Sequence, residues 1–232
     1  MKVISFSLWG AMPKYTVGAV RNAELARAIY PEWVCRFHCG SSVPTEILER
    51  LRSLPNAQVV LRPEAGDWGG LFWRFEPASD PAVDVMISRD TDSRLNQRER
   101  AAVDAWLASE ASFHVMRDHP QHGTAILGGL WGAKRDSIPE MVSLAADWEK
   151  ANRWGPDQDF LAEKIAPRVR GSWIEHDPYF SNRPFPTRRR GREFVGQPFD
   201  ENDRPLITGP RDIEVTLKRW ARRALGLLRS GR

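Results

Sequence analysis

Asp90 and Asp92 are separated by one residue and follow an apolar run, Asp84–Ser88, that reads as a buried strand. Two carboxylates so placed repel each other, and a divalent cation relieves that repulsion. Hard oxygen ligands suit Mg²⁺ or Mn²⁺, and such an ion would also hold a diphosphate. A polar turn capping the next helix is the other account of the same residues. His176 follows the last predicted strand, Trp173–Glu175, and is followed by Asp177. It reads either as a third metal ligand, a set that suits Mn²⁺ better than Mg²⁺, or as a satisfied core or surface residue. Asp157-Gln158-Asp159 opens a predicted helix. There a carboxylate caps the helix and favours its dipole, or faces a cleft and accepts from a ligand hydroxyl. Gly128-Gly129 permits close backbone approach of a ligand, or forms a turn.

The elements that must position these residues follow from apolar periodicity and breakers. Strands are predicted at Lys2–Leu8, Trp33–His38, Gln58–Leu61, Asp84–Ser88, Phe113–Met116, Ala125–Leu127 and Trp173–Glu175. Helices are predicted at Val17–Tyr30, Thr45–Leu54, Asn96–Ser109, Ile138–Asn152, Asp157–Ile165 and Asp212–Arg229. Strand and helix alternate over the first 60 residues or so, which predicts parallel βαβ units and an α/β domain. In such open sheets ligands bind beyond the carboxyl ends of the strands, where the acidic clusters fall.

At 232 residues the chain can bury a core without disulfide staples. Ten Trp and ten Phe exclude disorder as the main state. No apolar stretch is long enough to span a membrane, and the N-terminus lacks the pattern of a cleaved signal. Cys35 and Cys39 have no second pair to complete a zinc site, so free thiols in a reducing cytoplasm are expected.

Of 34 basic residues, five arginines fall in 183–192 and six basic residues in 218–232, both stretches free of acid. Subtracting those eleven leaves 23 basic against 30 acidic residues, so the body is acidic and carries two basic patches. Nucleic-acid coating would spread the charge more widely, and no nucleic-acid partner is expected. In 211–232, Ile213, Leu217, Trp220, Ala224, Leu227 and Leu228 share one helical face, with Lys218, Arg219, Arg222, Arg223 and Arg229 on the other. That pattern fits a helix in an anionic membrane interface, and equally one docked on the domain with its basic side in water.

The order of Asp-x-Asp after a strand, Gly-Gly, Asp-Gln-Asp at a helix start and a late His resembles GT-A-fold nucleotide-sugar glycosyltransferases. It is most similar to the retaining group that includes glycogenin and lipopolysaccharide galactosyltransferases. The phrases Ile87-Ser88-Arg89-Asp90-Thr91-Asp92-Ser93-Arg94, Leu127-Gly128-Gly129-Leu130-Trp131-Gly132 and Asp157-Gln158-Asp159-Phe160-Leu161 also resemble a set of small glycosyltransferase-like proteins of unassigned donor, and the resemblance covers roughly residues 1–200.

The resemblance implies a mixed, mainly parallel sheet flanked by helices in a catalytic domain of residues 1–210, followed by the basic helix of 211–232. It implies Mn²⁺ or Mg²⁺ on Asp90, Asp92 and His176, and sugar hydroxyls on Asp157 or Asp159. Ser7, Leu8, Trp9, Lys14 and Tyr15 would receive the nucleotide of a nucleoside-diphosphate sugar, with Tyr15 stacking on the base. Lys14, Arg21, Arg74 and Arg89 would meet phosphate or form ordinary surface salt bridges. The acceptor implied is a glycan or lipid-linked glycan, and the location is the cytoplasm or the inner membrane surface. One departure is plain: His176 is followed by Asp177-Pro178-Tyr179 rather than the Gly, Lys and Trp residues usual in the retaining group. Stereochemistry stays open, since Asp157 or Asp159 could be the general base of an inverting enzyme. A nucleotidyltransferase on a related sheet, or a membrane- or nucleic-acid-binding module using the basic tail, are the alternatives.

Overall fold

The computed structural model describes residues 1–148 and 156–210. The predicted helix at Asp212–Arg229 and the end of the one at Ile138–Asn152 lie outside the described residues.

The strands are β1 (Lys2–Leu8), β2 (Val34–Cys39), β3 (Ala57–Leu61), β4 (Val85–Arg89), β5 (Phe113–Met116), β6 (Trp131–Lys134) and β7 (Trp173–His176). They form one sheet in the order β3-β2-β1-β4-β6-β5-β7. The β3-β2-β1-β4 half is parallel, β6 runs antiparallel to both β4 and β5, and β7 is parallel to β5. The helices are α1 (Pro13–Ile29), α2 (Thr45–Arg52), α3 (Gln97–Leu107), α4 (Met141–Ala146), α5 (Pro156–Phe160) and α6 (Ala166–Val169). The expected α/β architecture with a mixed, mainly parallel sheet is what forms.

Central β1 and β4 are buried along nearly their whole length, as parallel strands covered on both faces must be. One core packs α1 and α3 residues (Val20, Ala23, Val103, Trp106) against Ile4, Phe6 and Ile87. The other packs Phe72, Phe75 and Phe160 against Met86, Phe113 and Trp131. Each buried aromatic contributes about 1.5–3 kcal/mol of transfer free energy.

Three local differences from the sequence pattern have physical reasons. Pro13 opens α1 at its first turn rather than sitting in the preceding loop, because its missing N–H costs nothing there. Ala125–Leu127 is no strand: Ile126 is buried, but the N–H of Leu130 donates to the Leu127 carbonyl (3.0 Å), closing a turn over Gly128-Gly129, and the strand starts at Trp131. Short apolar runs do not distinguish these outcomes. Between β3 and β4, where apolar periodicity marks no element, a 3₁₀ segment spans Trp68–Ser79, capped by Asp67 accepting from the N–H of Gly69 (2.7 Å).

The loop after β4 is fixed from two sides. Gly18 of α1 presses on the Thr91 carbonyl so closely that any Cβ there would collide. The Asn22 amide donates to the Thr91 and Ser93 carbonyls (3.2 and 2.9 Å) and accepts from the Leu95 N–H (3.1 Å). From the other side, the N–H of Phe199 donates to the Asp92 carbonyl (2.8 Å). Residues 90–95 are therefore held rigidly although they are loop.

Candidate functional site

A cavity of about 810 Å³ lies across the carboxyl ends of β1 and β4. One wall is apolar and aromatic: Leu8 and Trp9 from the end of β1, Met12 and Tyr15 from the start of α1, Trp68 and Leu71 from the 3₁₀ segment. Trp9 meets Trp73 edge-to-face at 6.3 Å, which fixes its ring. Ser7 also lines the cavity, and its hydroxyl accepts from the Arg74 N–H (3.0 Å), tying the 3₁₀ segment to β1.

The floor is charged. Phe72 and Phe75 enter the core and leave Arg74, only 3% exposed, facing the cavity. Its Nη1 lies 2.9 Å from Asp90 Oδ1 and its Nη2 2.7 Å from Asp157 Oδ2. Gly128 and Gly129 lie directly against this triad. A Cβ on Gly128 would overlap the Asp157 carboxylate and Arg74, and one on Gly129 the Asp90 carboxylate. The Gly128 carbonyl accepts from the Ser88 hydroxyl (2.7 Å), which holds the turn on the sheet. The pair of glycines is thus required by close approach.

Asp92 lines the same cavity, with Lys14 Nζ 3.4 Å from its Oδ2. Burial, then the Asp90 charge, raises the Asp92 pKa, against the opposing pull of Lys14. Burial also raises that of Asp157, with Arg74 opposing. Lys14 lies over the Tyr15 ring at 4.3 Å. Burial lowers the Lys14 pKa, but its bonds to Tyr15 and Asp92 outweigh this and leave it raised. The floor therefore holds more negative charge than it can ionise comfortably, an arrangement suited to a cationic ligand.

A hard divalent cation fits this donor set. Among the described residues no cluster of three or more His, Cys, Asp or Glu forms a full protein cage. Mg²⁺ and Mn²⁺ do not need one: one or two carboxylates suffice when substrate phosphates and water fill the other positions.

Ser7, Leu8, Trp9, Tyr15, Arg74, Asp90, Asp92, Gly128, Gly129 and Asp157 are brought together at the cavity, and Lys14 reaches it through Asp92. Four candidates are not. His176 ends β7, which β6 and β5 separate from β4, and its Nδ1 is 2.8 Å from His114 Nε2 in the core. Arg89 is fully buried and donates to Glu99 Oε1 (2.8 Å) and to the Ser88 and Trp131 carbonyls, so it serves the fold rather than a phosphate. Arg21 pairs with Asp203 (2.8 Å) and Glu24 (3.1 Å) on the outer face of α1. Asp159, two residues along α5 from Asp157, does not line the cavity. Cys35 and Cys39 are buried free thiols, both pushed by burial to about 12, hence inert.

Sequence reasoning passed over His122 and Gln158, which line the cavity away from the aromatic wall. Asp118-His119-Pro120-Gln121-His122-Gly123 reads as a polar turn, and only the fold shows that this turn returns to the site.

No protein-family profile matches the chain, and no curated protein matches it in sequence. Solved structures do match. A glycosyltransferase involved in the glycosylation of the major capsid of PBCV-1 superposes with a TM-score of 0.51 at 19% identity, over 78% of this chain and 82% of that one. Residues 1–349 of TarS from S. aureus superpose with a TM-score of 0.51 at 11% identity, over 79% of this chain and 58% of that one. The fold is that of the GT-A glycosyltransferases.

Proposed function

We propose that the protein is a glycosyltransferase that moves a sugar from a nucleoside-diphosphate sugar to an acceptor hydroxyl. The observation that carries this reading is the Arg74 guanidinium bridging Asp90 and Asp157 on the floor of the cavity, one loop residue from Asp92. The aromatic wall suits a nucleobase, with Tyr15 and Trp9 offering ring faces. Asp90 and Asp92 would hold Mg²⁺ or Mn²⁺ on the diphosphate. When bound, that ion offsets negative charge on the departing diphosphate.

The chain's own groups do the rest. Asp157 and Arg74 offer an acceptor and a donor fixed to each other, and a sugar with vicinal hydroxyls can bond to both. Because they are held before the ligand arrives, their orientation costs little at the moment of reaction. The bond from the anomeric carbon to the diphosphate oxygen breaks, with its electron pair leaving on the diphosphate. A bond from that carbon to the acceptor oxygen forms, and the proton lost by the acceptor hydroxyl neutralises one unit of the charge released. Lys14, beside Asp92, supplies a second fixed cation near the diphosphate.

The acceptor in this reading is a glycan, free or lipid-linked. The amphipathic basic pattern of 211–232 supports presentation at an anionic membrane surface on the cytoplasmic side. Among the described residues no helix is long and apolar enough to cross a membrane.

A thermal-shift panel of nucleoside diphosphates and nucleotide sugars, with and without Mn²⁺, tests the proposal. Metal-dependent stabilisation by at least one nucleotide is expected, and Asp92→Ala should remove it. A wild-type protein that no nucleotide shifts, with or without Mn²⁺, would refute the reading.

A further inference from the structure

The backbone that carries Asp90 and Asp92 is tied at every carbonyl from 90 to 93. The Asp90 carbonyl accepts from the Ser93 hydroxyl (2.8 Å). The Thr91 and Ser93 carbonyls each accept from two side chains, the Asn22 amide and the Arg94 guanidinium, whose Nη1 lies at 3.4 and 2.9 Å. The Asp92 carbonyl accepts from the N–H of Phe199 (2.8 Å). With its backbone so fixed, Asp92 keeps only the torsions of its side chain. Ser93 and Asn22 belong to the loop and to α1. Arg94 and Phe199 tie the loop instead to a segment late in the chain.

That segment is a tight turn over residues 198–205. A bridge pairs Pro198 with Ser93 of the loop, and another pairs Phe199 with Pro205 and closes the turn. Inside it, Asp200 Oδ1 accepts from the N–H groups of Asn202 (2.9 Å) and Arg204 (2.8 Å), the local bonding that makes Asp a turn residue. The turn acts as a clip on the loop, and Arg94 crosses between them. Its Nη2 donates to the Asp200 carbonyl (3.1 Å) and its Nε to Asp203 Oδ1 (2.8 Å), and the guanidinium lies over the Phe199 ring at 5.4 Å. One planar group thus holds two loop carbonyls with Nη1 and the clip with Nη2 and Nε, a fork that a lysine ammonium lacks. Gly18 of α1 leaves room for it, since a Cβ there would stand 2.9 Å from Arg94 Nη1.

Asp203, near the tip of the clip, is not the residue its backbone would choose. Its φ is +59°, the left-handed region that glycine enters without strain and other residues enter at a cost. The position therefore uses the carboxylate. Oδ1 accepts from Arg94, and Oδ2 accepts from Arg21 of α1 (3.0 and 2.8 Å). Asp203 is 38% exposed, and ion pairs so exposed contribute little to stability. The Arg94 side chain is only 8% exposed, and among the described residues Asp203 is the carboxylate that pairs with it. What the pair contributes is the orientation of a buried guanidinium that grips the carbonyls on either side of Asp92.

Resting on the reading of Asp90 and Asp92 as cation ligands, we propose that Asp203 is a positioning residue for that cation site. Asp203 sets the plane of Arg94, and Arg94 together with Phe199 sets the backbone of Asp92. The Asp92 carboxylate is then ordered before the ion arrives. Groups that orient a ligating side chain in this way typically contribute about 10–100-fold to metal affinity. Asp203 acts through Arg94 and touches neither ion nor substrate, so the lower end of that range is expected.

Retention of Mn²⁺, followed by the loss of the free ion's paramagnetic resonance signal, reads the site without turnover. It is measured with Mn²⁺ alone, with UDP and with GDP, beside melting curves recorded without metal. Asp203→Gly relieves the backbone at φ +59° and removes the carboxylate. It should melt close to wild type and bind Mn²⁺ about tenfold more weakly. Asp203→Asn tolerates the same φ and keeps an oxygen for Arg94 Nε, so it should stay within about threefold of wild type. Arg21→Ala leaves the Arg94 pair in place and should bind Mn²⁺ as wild type does. Wild-type Mn²⁺ affinity in Asp203→Gly would overturn the proposal. So would a loss in Asp203→Asn or in Arg21→Ala as large as that in Asp203→Gly. A weakened Mn²⁺ affinity matched by a clear drop in melting temperature would make Asp203 a fold residue and overturn the proposal as well. In each of those outcomes wild type still binds Mn²⁺ and the cation reading stands. A wild type that retains Mn²⁺ under none of the three conditions overturns that reading itself, and the proposal with it.

Discussion

Arg74 reaches Asp90 with one terminal nitrogen and Asp157 with the other, at 2.9 and 2.7 Å. Residues 67 positions apart in the chain are thereby held across one guanidinium. Removing it leaves a buried carboxylate at Asp157 without its cation, and breaking such a pair typically costs about 3–5 kcal/mol. Arg74→Met should therefore lower the urea midpoint. It should also cut donor hydrolysis by about a hundredfold or more, as loss of a preorganised charged donor does. Arg74→Lys, which cannot reach both carboxylates at once, should recover stability more than rate.

The Asp90–Asp92 pair makes stability and metal response depend on pH in opposite directions. The folded Asp92 pKa lies above its ordinary 3.8. The folded state then binds more protons than the unfolded state between those two values, so without metal this group's stabilisation falls as pH rises through that window. A cation competes with the proton, and stabilisation by Mn²⁺ should grow over the same rise. Melting curves of wild type and Asp92→Asn should show both effects in the first and neither in the second. At neutral pH without metal the variant should melt no lower than wild type.

The central strands, the Asp-x-Asp step and the start of α5 were legible because each is encoded locally: Val-Met-Ile before Asp90, and Pro156 at the head of a short helix. Arg74 was legible only as a basic residue. Its role depends on Phe72 and Phe75 pointing inward from a 3₁₀ segment whose apolar spacing matches neither helix nor strand. His176, expected at the site, lies away from it, and His122, for which there was no expectation, lines it, for a topological reason. Antiparallel β6 inserts between β4 and β5, which moves the last strand away from the site and leaves the turn after β5 to return to it. No local pattern reports that insertion.

Gly128 and Gly129 carry a steric prediction. A methyl at either position meets a carboxylate that Arg74 already holds. Gly129→Ala should displace Asp90 and lower donor hydrolysis about tenfold or more, with a loss of about 1–3 kcal/mol in stability. Gly123→Ala, where a Cβ meets nothing, is the control in denaturant melts and should change neither quantity appreciably.

Arg89 and Glu99 should behave as fold residues. Their side chains are 0% and 2% exposed and paired at 2.8 Å, and Tyr30 donates its hydroxyl to the same Glu99 oxygen (3.1 Å). Glu99→Ala leaves a buried guanidinium uncompensated and should cost about 3–5 kcal/mol. Tyr30→Phe removes one hydrogen bond to a charged group and should cost about 1.5–3 kcal/mol. Chemical denaturation measures both. Tyr30→Phe, if folded, should keep the wild-type nucleotide shift, because its hydroxyl faces the core.

His176 separates a structural role from a metal-binding one. Burial lowers its pKa from 6.5 to about 4, and burial lowers that of its partner His114 as well. Both rings are thus neutral when folded and protonate readily when unfolded. The unfolded state binds more protons between pH 6.5 and about 4, so the stability these rings contribute is present above that window and is lost as pH falls through it. His176→Gln should flatten the acid limb of the stability curve and lower stability at neutral pH, because the contact with His114 is altered. Its Mn²⁺-dependent nucleotide shift should match wild type, since the ring lies against His114 and Phe185 and away from the cavity. Loss of that shift in a folded His176→Gln protein would return the histidine to the metal and contradict the placement of β7 beyond β5.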